Sequence, residues 1–317
     1  MGVKNLIKFI QKYSPDAIKY TNIENYKNKT IGIDGNLLLY KLIYAIRARG
    51  YDITTGNNTI IVTHIHALLL KLVAFRRYNI NPVFVFDTFA PSIKYDTLEE
   101  RKNVKKSLIE KYKKSKTIRG KRIYYYIKSD ITNQEIDACK ELINIFGHTI
   151  IDAAEEADPQ LVQLYRAKLI DFIASDDMDI LVFGGEYLLK NFTVDDIKQI
   201  QQITLSQILT DANLTMDELI QIAILLGTDY CDNKKFSPTK AYQLVKEFKD
   251  ITKIPEIGNK CMNAIEYFKN APVKQISTIH KLTDSKIKTR DLFDFLKKFA
   301  FTQEYIDKVF THLKGLQ

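Results

Sequence analysis

The run Pro82-Val-Phe-Val-Phe86, closed by Asp87, is apolar at every position and too short for a buried helix. Its β-branched and aromatic side chains, without polar alternation, predict a strand covered on both faces. Thr30-Ile-Gly-Ile33 ahead of Asp34, Ile150-Ile151, Ile170 to Ala174 and Ile180 to Phe183 read the same way. Between them, Leu37 to Arg47, Thr63 to Tyr78, Asn133 to Phe146 and Pro159 to Lys168 carry apolar residues at helical spacing with few breakers. Strand and helix therefore alternate over the first 200 residues, which predicts an α/β fold: a mostly parallel central sheet with helices on both faces. After Ser206 the strand signal fades, and Met216 to Leu226, Pro238 to Phe248 and Arg290 to Phe299 predict a helical C-terminal region. Gly50 to Asn58 reads as a polar loop, and Asn270 to Thr289 is the least patterned stretch.

A chain of 317 residues that is 45% hydrophobic and 27% charged buries a substantial core, which excludes a disordered or collagen-like protein. No apolar run approaches the ~18 residues of a membrane span, and the N-terminus lacks a signal-peptide core. A soluble intracellular protein without a membrane partner is expected. The three cysteines, Cys139, Cys231 and Cys261, form no C-x-x-C pair, so neither a disulfide framework nor a thiolate zinc site is expected, in keeping with a reducing compartment.

Positive charge is concentrated in one place. Residues 94–128 hold thirteen Lys and Arg against four Asp and Glu, an excess equal to the whole-chain charge of +9. A polyanion would meet a single basic patch. Val104, Leu108 and Tyr112 recur every fourth position, predicting an amphipathic helix with Lys and Arg on its other faces, and Tyr124, Tyr125 and Tyr126 offer rings for base stacking. A solvated surface helix is the alternative for such a run.

Negative charge collects at strand ends. Asp34 and Asp87 each close an apolar run, and Asp177 follows another. In open α/β sheets the carboxyl ends of the strands are where ligands bind, although any one such Asp can instead cap the next helix. In an extended Asp177-Met-Asp179 the two acids face the same side and Asp176 faces away. Glu156 and Asp158 precede Pro159 at a helix start, and Asp229 ends a further apolar run. Seven such carboxylates repel one another unless cations lie among them. Hard oxygen ligands without His or Cys favour Mg2+, with Mn2+ as a substitute, over zinc. Two such ions a few ångströms apart serve phosphodiester hydrolysis. The motifs of zinc proteases, P-loop nucleotidases and α/β-hydrolases are missing from the sequence.

Taken in order, M-G-V-K-N-L (1–6), I-G-I-D-G-N (31–36), P-V-F-V-F-D (82–87), D-A-A-E-E-A-D (152–158), A-S-D-D-M-D-I-L-V-F-G (174–184) and L-L-G-T-D-Y-C (225–231) resemble the flap endonuclease family, the XPG-type structure-specific 5′ nucleases. The resemblance spans nearly the whole chain. It implies a PIN-like 5′ nuclease fold in one domain: a nuclease region at 1–93, a basic helical arch at 94–132, a second nuclease region at 133–205 and a helical duplex-binding region at 206–317. It implies that Asp34, Asp87, Glu156, Asp158, Asp177, Asp179 and Asp229 hold two Mg2+ ions, and that Lys94, Arg101 and the free amine of Gly2 act at the scissile phosphate. Tyr40 matches a base-stacking position and Arg47 a flap contact. Lys102, Lys105 and Lys106 fall in the arch through which a single-stranded 5′ end is threaded.

The implied activity is cleavage of branched or flapped DNA by a monomer, with 5′ to 3′ exonuclease action, in replication, repair or recombination. Relatives specialised as exonucleases or junction resolvases, an RNA 5′ exonuclease, and a DNA-binding scaffold without catalysis are the alternatives. Residues 226–250 resemble a helix-two-turn-helix element that grips duplex backbone, often with K+. Where the family has a Gly-x-Gly-Pro hairpin, however, this chain has Lys235-Phe-Ser-Pro238, which removes the glycines that let backbone approach phosphate. Lys234, Lys235 and Lys240 remain as phosphate contacts. Asp158 stands where the family has Glu, so a water-mediated metal contact is an expectation. Gln303 to Phe310 looks superficially like a sliding-clamp peptide but aligns better with the last core helix.

Overall fold

A computed structural model describes residues 2–56, 58–117, 119–120, 123–124, 130–193, 199–232, 235–278 and 286–315. Tyr125, Tyr126 and Lys234 lie outside these residues. Helix α1 (Leu6–Tyr13) leads into strand β1 (Ile18–Thr21), followed by β2 (Thr30–Asp34), α2 (Gly35–Arg47), the hairpin β3 (Thr54–Thr55) and β4 (Ile60–Ile61), α3 (Thr63–Arg77), β5 (Asn81–Phe86) and α4 (Tyr95–Lys113). Then come α5 (Asn133–Ile145), β6 (Thr149–Asp152), α6 (Ala157–Arg166), β7 (Phe172–Ala174), the single turn α7 (Asp179–Val182), β8 (Tyr187–Lys190) and β9 (Ile200–Thr204). Helices α8 (Leu205–Asp211), α9 (Met216–Leu226), α10 (Pro238–Phe248), α11 (Met262–Asn270), α12 (Thr289–Lys298) and α13 (Gln303–Lys314) complete the chain.

The main sheet runs β1-β9-β8-β7-β2-β5-β6. From β8 to β6 every pairing is parallel, and β9 and β1 add an antiparallel edge. All six residues of β5 are buried because the sheet is covered on both faces. The side-chain alternation of a strand then sorts one sequence into two cores. Val83 and Val85 join Leu161, Ile173 and Leu188 under α1, α6 and the helices after β9, whereas Phe84 and Phe86 join Leu68, Phe75, Leu142 and Phe295 under α3, α5 and α12.

Three expectations need correction. Ile180 to Phe183 is not a strand: Asp177 Oδ1 accepts the Asp179 N–H at 3.0 Å, and this local bond winds the following residues into α7. The short strands β1, β8 and β9 were not anticipated, since their mixed polar residues give little signal at an antiparallel edge. Cys231 and Cys261 are joined in a disulfide with Cα atoms 5.5 Å apart, across 30 residues of sequence, because packing of α11 brings its start against the loop after α9. No helix among the described residues is long and apolar enough to cross a membrane. Ile306 and Val309 of α13 are buried in the second core, as the last core helix requires, so the clamp-like motif does not present them to a partner.

Candidate active site at the carboxyl ends of the strands

The parallel strands point their carboxyl ends at one pocket. Asp34, the last residue of β2, accepts the Leu37 N–H at 2.9 Å and so caps α2 while facing the other acids. Asp87, just past β5, accepts the Ala157 N–H at 2.8 Å and thereby anchors the start of α6, which delivers Glu156 and Asp158. Beyond β7, a side-chain turn at Asp177 brings Asp179 in beside it. The pair converges through a helical turn and not through extended alternation. Asp176 faces away, as expected, and pairs with Lys41.

Asp158, Asp177 and Asp179 each place a carboxylate oxygen within 4.8 Å of the others. Asp34, Asp87, Glu156 and Asp229 lie within electrostatic reach of this triad, so the seven acids share one pocket. Burial, reinforced by Asp87, raises Asp34 to about 8. Burial and neighbouring carboxylates also push Asp158 and Asp179 well above the ordinary range, and burial raises Asp87. Lys94 and Arg101, the two cations paired with these acids, are too few to neutralise all seven. Asp158 Oδ1 is buried with no hydrogen-bond partner among the described residues. An orphaned oxygen inside an all-carboxylate triad fits a hard divalent cation.

The N-terminus closes the pocket. Val3 N–H donates to Asp179 Oδ1 at 2.8 Å, and Gly2, at φ +74°, lies so close that a Cβ there would sit 1.7 Å from Asp177 Oδ1. Only glycine fits this approach. Two cations enter from the α4 side. Lys94 pairs with Glu156 Oε1, and its Nζ lies 4.1 Å above the Tyr230 ring. Burial works against the Lys94 charge, but Glu156 and Asp179 outweigh it and hold the ammonium above its usual value. Arg101, half exposed, reaches Asp229 Oδ1 at 2.6 Å.

An open groove of about 1040 Å³ leads away from Asp229 between α2 and α4. Tyr40, Tyr44, Arg101, Val104, Lys105 and Lys235 line it. Tyr40 is 45% exposed there, a ring available for stacking. Lys102 and Lys106 stand exposed on α4, and Lys105 pairs with Asp130. The altered hairpin is replaced by a local cap: Ser237 Oγ accepts the Lys240 N–H and Pro238 starts α10. Glycine freedom is used instead at Gly227, φ +106°, where the Lys235 stem lies against the backbone.

Arg47 does not reach the groove. It is buried, its Nε donating to Asp52 Oδ1 at 2.7 Å with Nη2 3.5 Å from Glu135, so its charge is consumed inside the fold. Two tyrosines that contact the acids were not singled out from the sequence. Tyr230, in the L-G-T-D-Y-C run, donates to Glu156 Oε2 at 2.8 Å. Tyr267, from the weakly patterned C-terminal region, contacts Glu155 and Glu156. A tyrosine beside an acidic motif was a usable hint for Tyr230; nothing local marks Tyr267.

Comparison with known proteins gives this architecture its relatives. Residues 1–108 match the XPG N-terminal domain and residues 147–229 the XPG I-region. The chain is 31% identical over 324 residues to flap endonuclease 1 of Theileria parva, covering 97% of this chain and 64% of that protein. It is 31% identical over 260 residues to flap endonuclease 1 of Encephalitozoon cuniculi, covering 80% and 75%. The chain thus spans slightly less than two thirds of the length of the Theileria relative. Its fold is similar to that of flap endonuclease-1 from Methanococcus jannaschii, with a TM-score of 0.72 at 24% identity over 94% of this chain and 95% of that one. It is similar also to the catalytic core of Rad2 in complex with DNA substrate, with a TM-score of 0.73 at 21% identity over the whole of both chains. The match to the Encephalitozoon protein, at this identity and coverage, settles the relationship: this chain belongs to the flap endonuclease family.

Proposed function

We propose that the protein is a structure-specific 5′ nuclease that hydrolyses phosphodiester bonds in branched DNA, 5′ flaps foremost. One observation carries this reading: acids from the ends of β2, β5, β6 and β7 and from the loop after α9 gather in one cluster, with Lys94 and Arg101 beside it and an open groove, lined by Tyr40, Tyr44 and residues of both charges, leading out. Asp158, Asp177 and Asp179, with Asp34, Asp87, Glu156 and Asp229 around them, are the residues to hold divalent cations, Mg2+ by ligand hardness. Bound there, a cation pair supplies an activated water and offsets charge on the departing oxygen.

The chain's own groups do the rest. Lys94, held by Glu156 and the Tyr230 ring, donates to a non-bridging phosphate oxygen as negative charge grows on it, and Arg101 adds a second donor from α4. The backbone at Gly2 and Val3 fixes Asp177 and Asp179 and limits water at that side. Tyr40 stacks on a base near the bond to be cut, while the lysines at 102, 105 and 106 draw the single-stranded 5′ end along α4. In this reading residues 94–132 form the arch and 206–317 the duplex grip, with Lys235 and Lys240 at phosphates.

A panel of 5′ flap, nicked duplex, blunt duplex and four-way junction in Mg2+ tests the reading. The flap should be cut fastest. Asp179→Ala should reduce cutting to background while flap binding in Ca2+ persists; Mg2+-dependent cutting by that variant at the parent rate would falsify the assignment.

A further inference from the structure

We infer that Tyr267 is a positioning residue for the acid pocket: its phenol, delivered by α11, fixes the orientation in which Glu156 meets a divalent cation. This rests on the reading of the pocket as a metal site. The Tyr267 hydroxyl lies 2.9 Å from Glu155 Oε2 and 3.3 Å from Glu156 Oε2, so its single proton is shared between the two acids. Tyr230 donates to the same Glu156 Oε2 at 2.8 Å, and Lys94 pairs with Oε1.

An ionised carboxylate has about four acceptor sites, two on each oxygen. Tyr230 takes one site on Oε2, the Tyr267 proton shared with Glu155 lies against the other, and Lys94 takes one on Oε1. One site remains, on the oxygen nearest Lys94. The acceptor site left open on Glu156 thus lies beside the ammonium that the proposed reaction uses. Ligating carboxylates that are themselves hydrogen-bonded hold their metals better, and losing such an outer partner typically costs about 10–100-fold in metal affinity or activity.

The supporting structure is specific to α11. The Tyr267 ring packs on Tyr230 with centroids 5.1 Å apart and edge-on to Phe183 at 6.2 Å. The Cys231–Cys261 disulfide ties the residue after Tyr230 to the residue before α11, so both phenols approach Glu156 from one covalently closed unit.

The test compares Tyr267→Phe, which keeps the ring and deletes the hydroxyl, with Tyr267→Leu, which removes both. Mn2+ binding to the DNA-free protein is followed by electron paramagnetic resonance, and flap cleavage by single-turnover rate against Mg2+ concentration. Tyr267→Phe should weaken Mn2+ binding about tenfold and raise the Mg2+ needed for half-maximal rate by a similar factor, with DNA affinity in Ca2+ unchanged. Mn2+ affinity within twofold of the parent in Tyr267→Phe, with a loss confined to Tyr267→Leu, would assign the residue to packing alone and overturn the inference. If the parent binds Mn2+ but cuts no member of the substrate panel, the nuclease reading fails while the Mn2+ comparison still decides the role of Tyr267.

Discussion

The acid pocket and helix α4 carry opposite charge and are built by opposite means. In the pocket four of the carboxylates are fixed by distant elements: Asp87 by α6, Asp179 by the N-terminal backbone, Asp229 by Arg101, and Glu156 by Lys94, Tyr230 and Tyr267. On α4 no described side chain is fully buried, and its cations face solvent. Chemistry at a phosphate needs donors and ligands held to fractions of an ångström, whereas capture of a flexible strand needs only a field of the right sign. The two regions should therefore respond differently to mutation: large, local effects on rate in the pocket, and graded, salt-dependent effects on binding along α4.

Lys94 sits at the boundary and gives the sharpest break. It begins α4 by sequence, yet only 14% of its side chain is exposed, against 49% for Arg101 two turns on. By environment it belongs to the pocket. Lys94→Ala should slow the single-turnover rate by about 10²–10³-fold, the cost of losing one preorganised charge donor, with flap affinity in Ca2+ unaltered. A loss confined to affinity, with the rate intact, would move Lys94 to the α4 class and erase the distinction.

The pocket also predicts its own pH dependence. In metal-free protein Asp34 titrates at about 8, against an ordinary value of 3.8, because burial and then Asp87 disfavour its charge. Between those values the folded chain keeps a proton that the unfolded chain has released, so stability falls as pH rises through the window and levels off above it. A bound divalent cation replaces that proton. The gain in melting temperature on adding Mg2+ should accordingly be larger at pH 8 than at pH 6, read by calorimetry on DNA-free protein. An equal gain at both values would mean that the acids do not share a cation.

How much of this was legible in the chain follows the same division. The buried parallel strands announced themselves because a sheet covered on both faces needs unbroken apolar runs, and the acids that close those runs were readable from the same segments. Helices at 216–226 and 238–248 were delimited correctly because Thr215 and Ser237 cap them locally. What escaped depends on tertiary contact, except at Asp179, where the turn is local. The turn at Asp179 is set by a side chain two residues earlier, the disulfide by the packing of α11, and the burial of Arg47 by Asp52 and Glu135. Tyr267 shows the limit most clearly, since its meaning comes entirely from a glutamate more than a hundred positions away.

The smallest effect tests the other half of the comparison. Lys102, Lys105 and Lys106 stood out by charge density and by their place in the implied arch, and on α4 the first and last are exposed while the second pairs with an exposed Asp130. Converting all three to Gln removes three charges without disturbing any buried contact. If each meets one phosphate of the single strand, the slope of log affinity against log salt should fall by about 2, a single-strand contact being worth about 0.7. The single-turnover rate at saturating enzyme should stay within about twofold of the parent, because no pocket group touches these side chains. An unchanged slope would remove α4 from strand capture. A rate loss comparable to that of Lys94→Ala would show that the helix transmits its occupancy to the acids, and the separation of field from geometry would have to be given up.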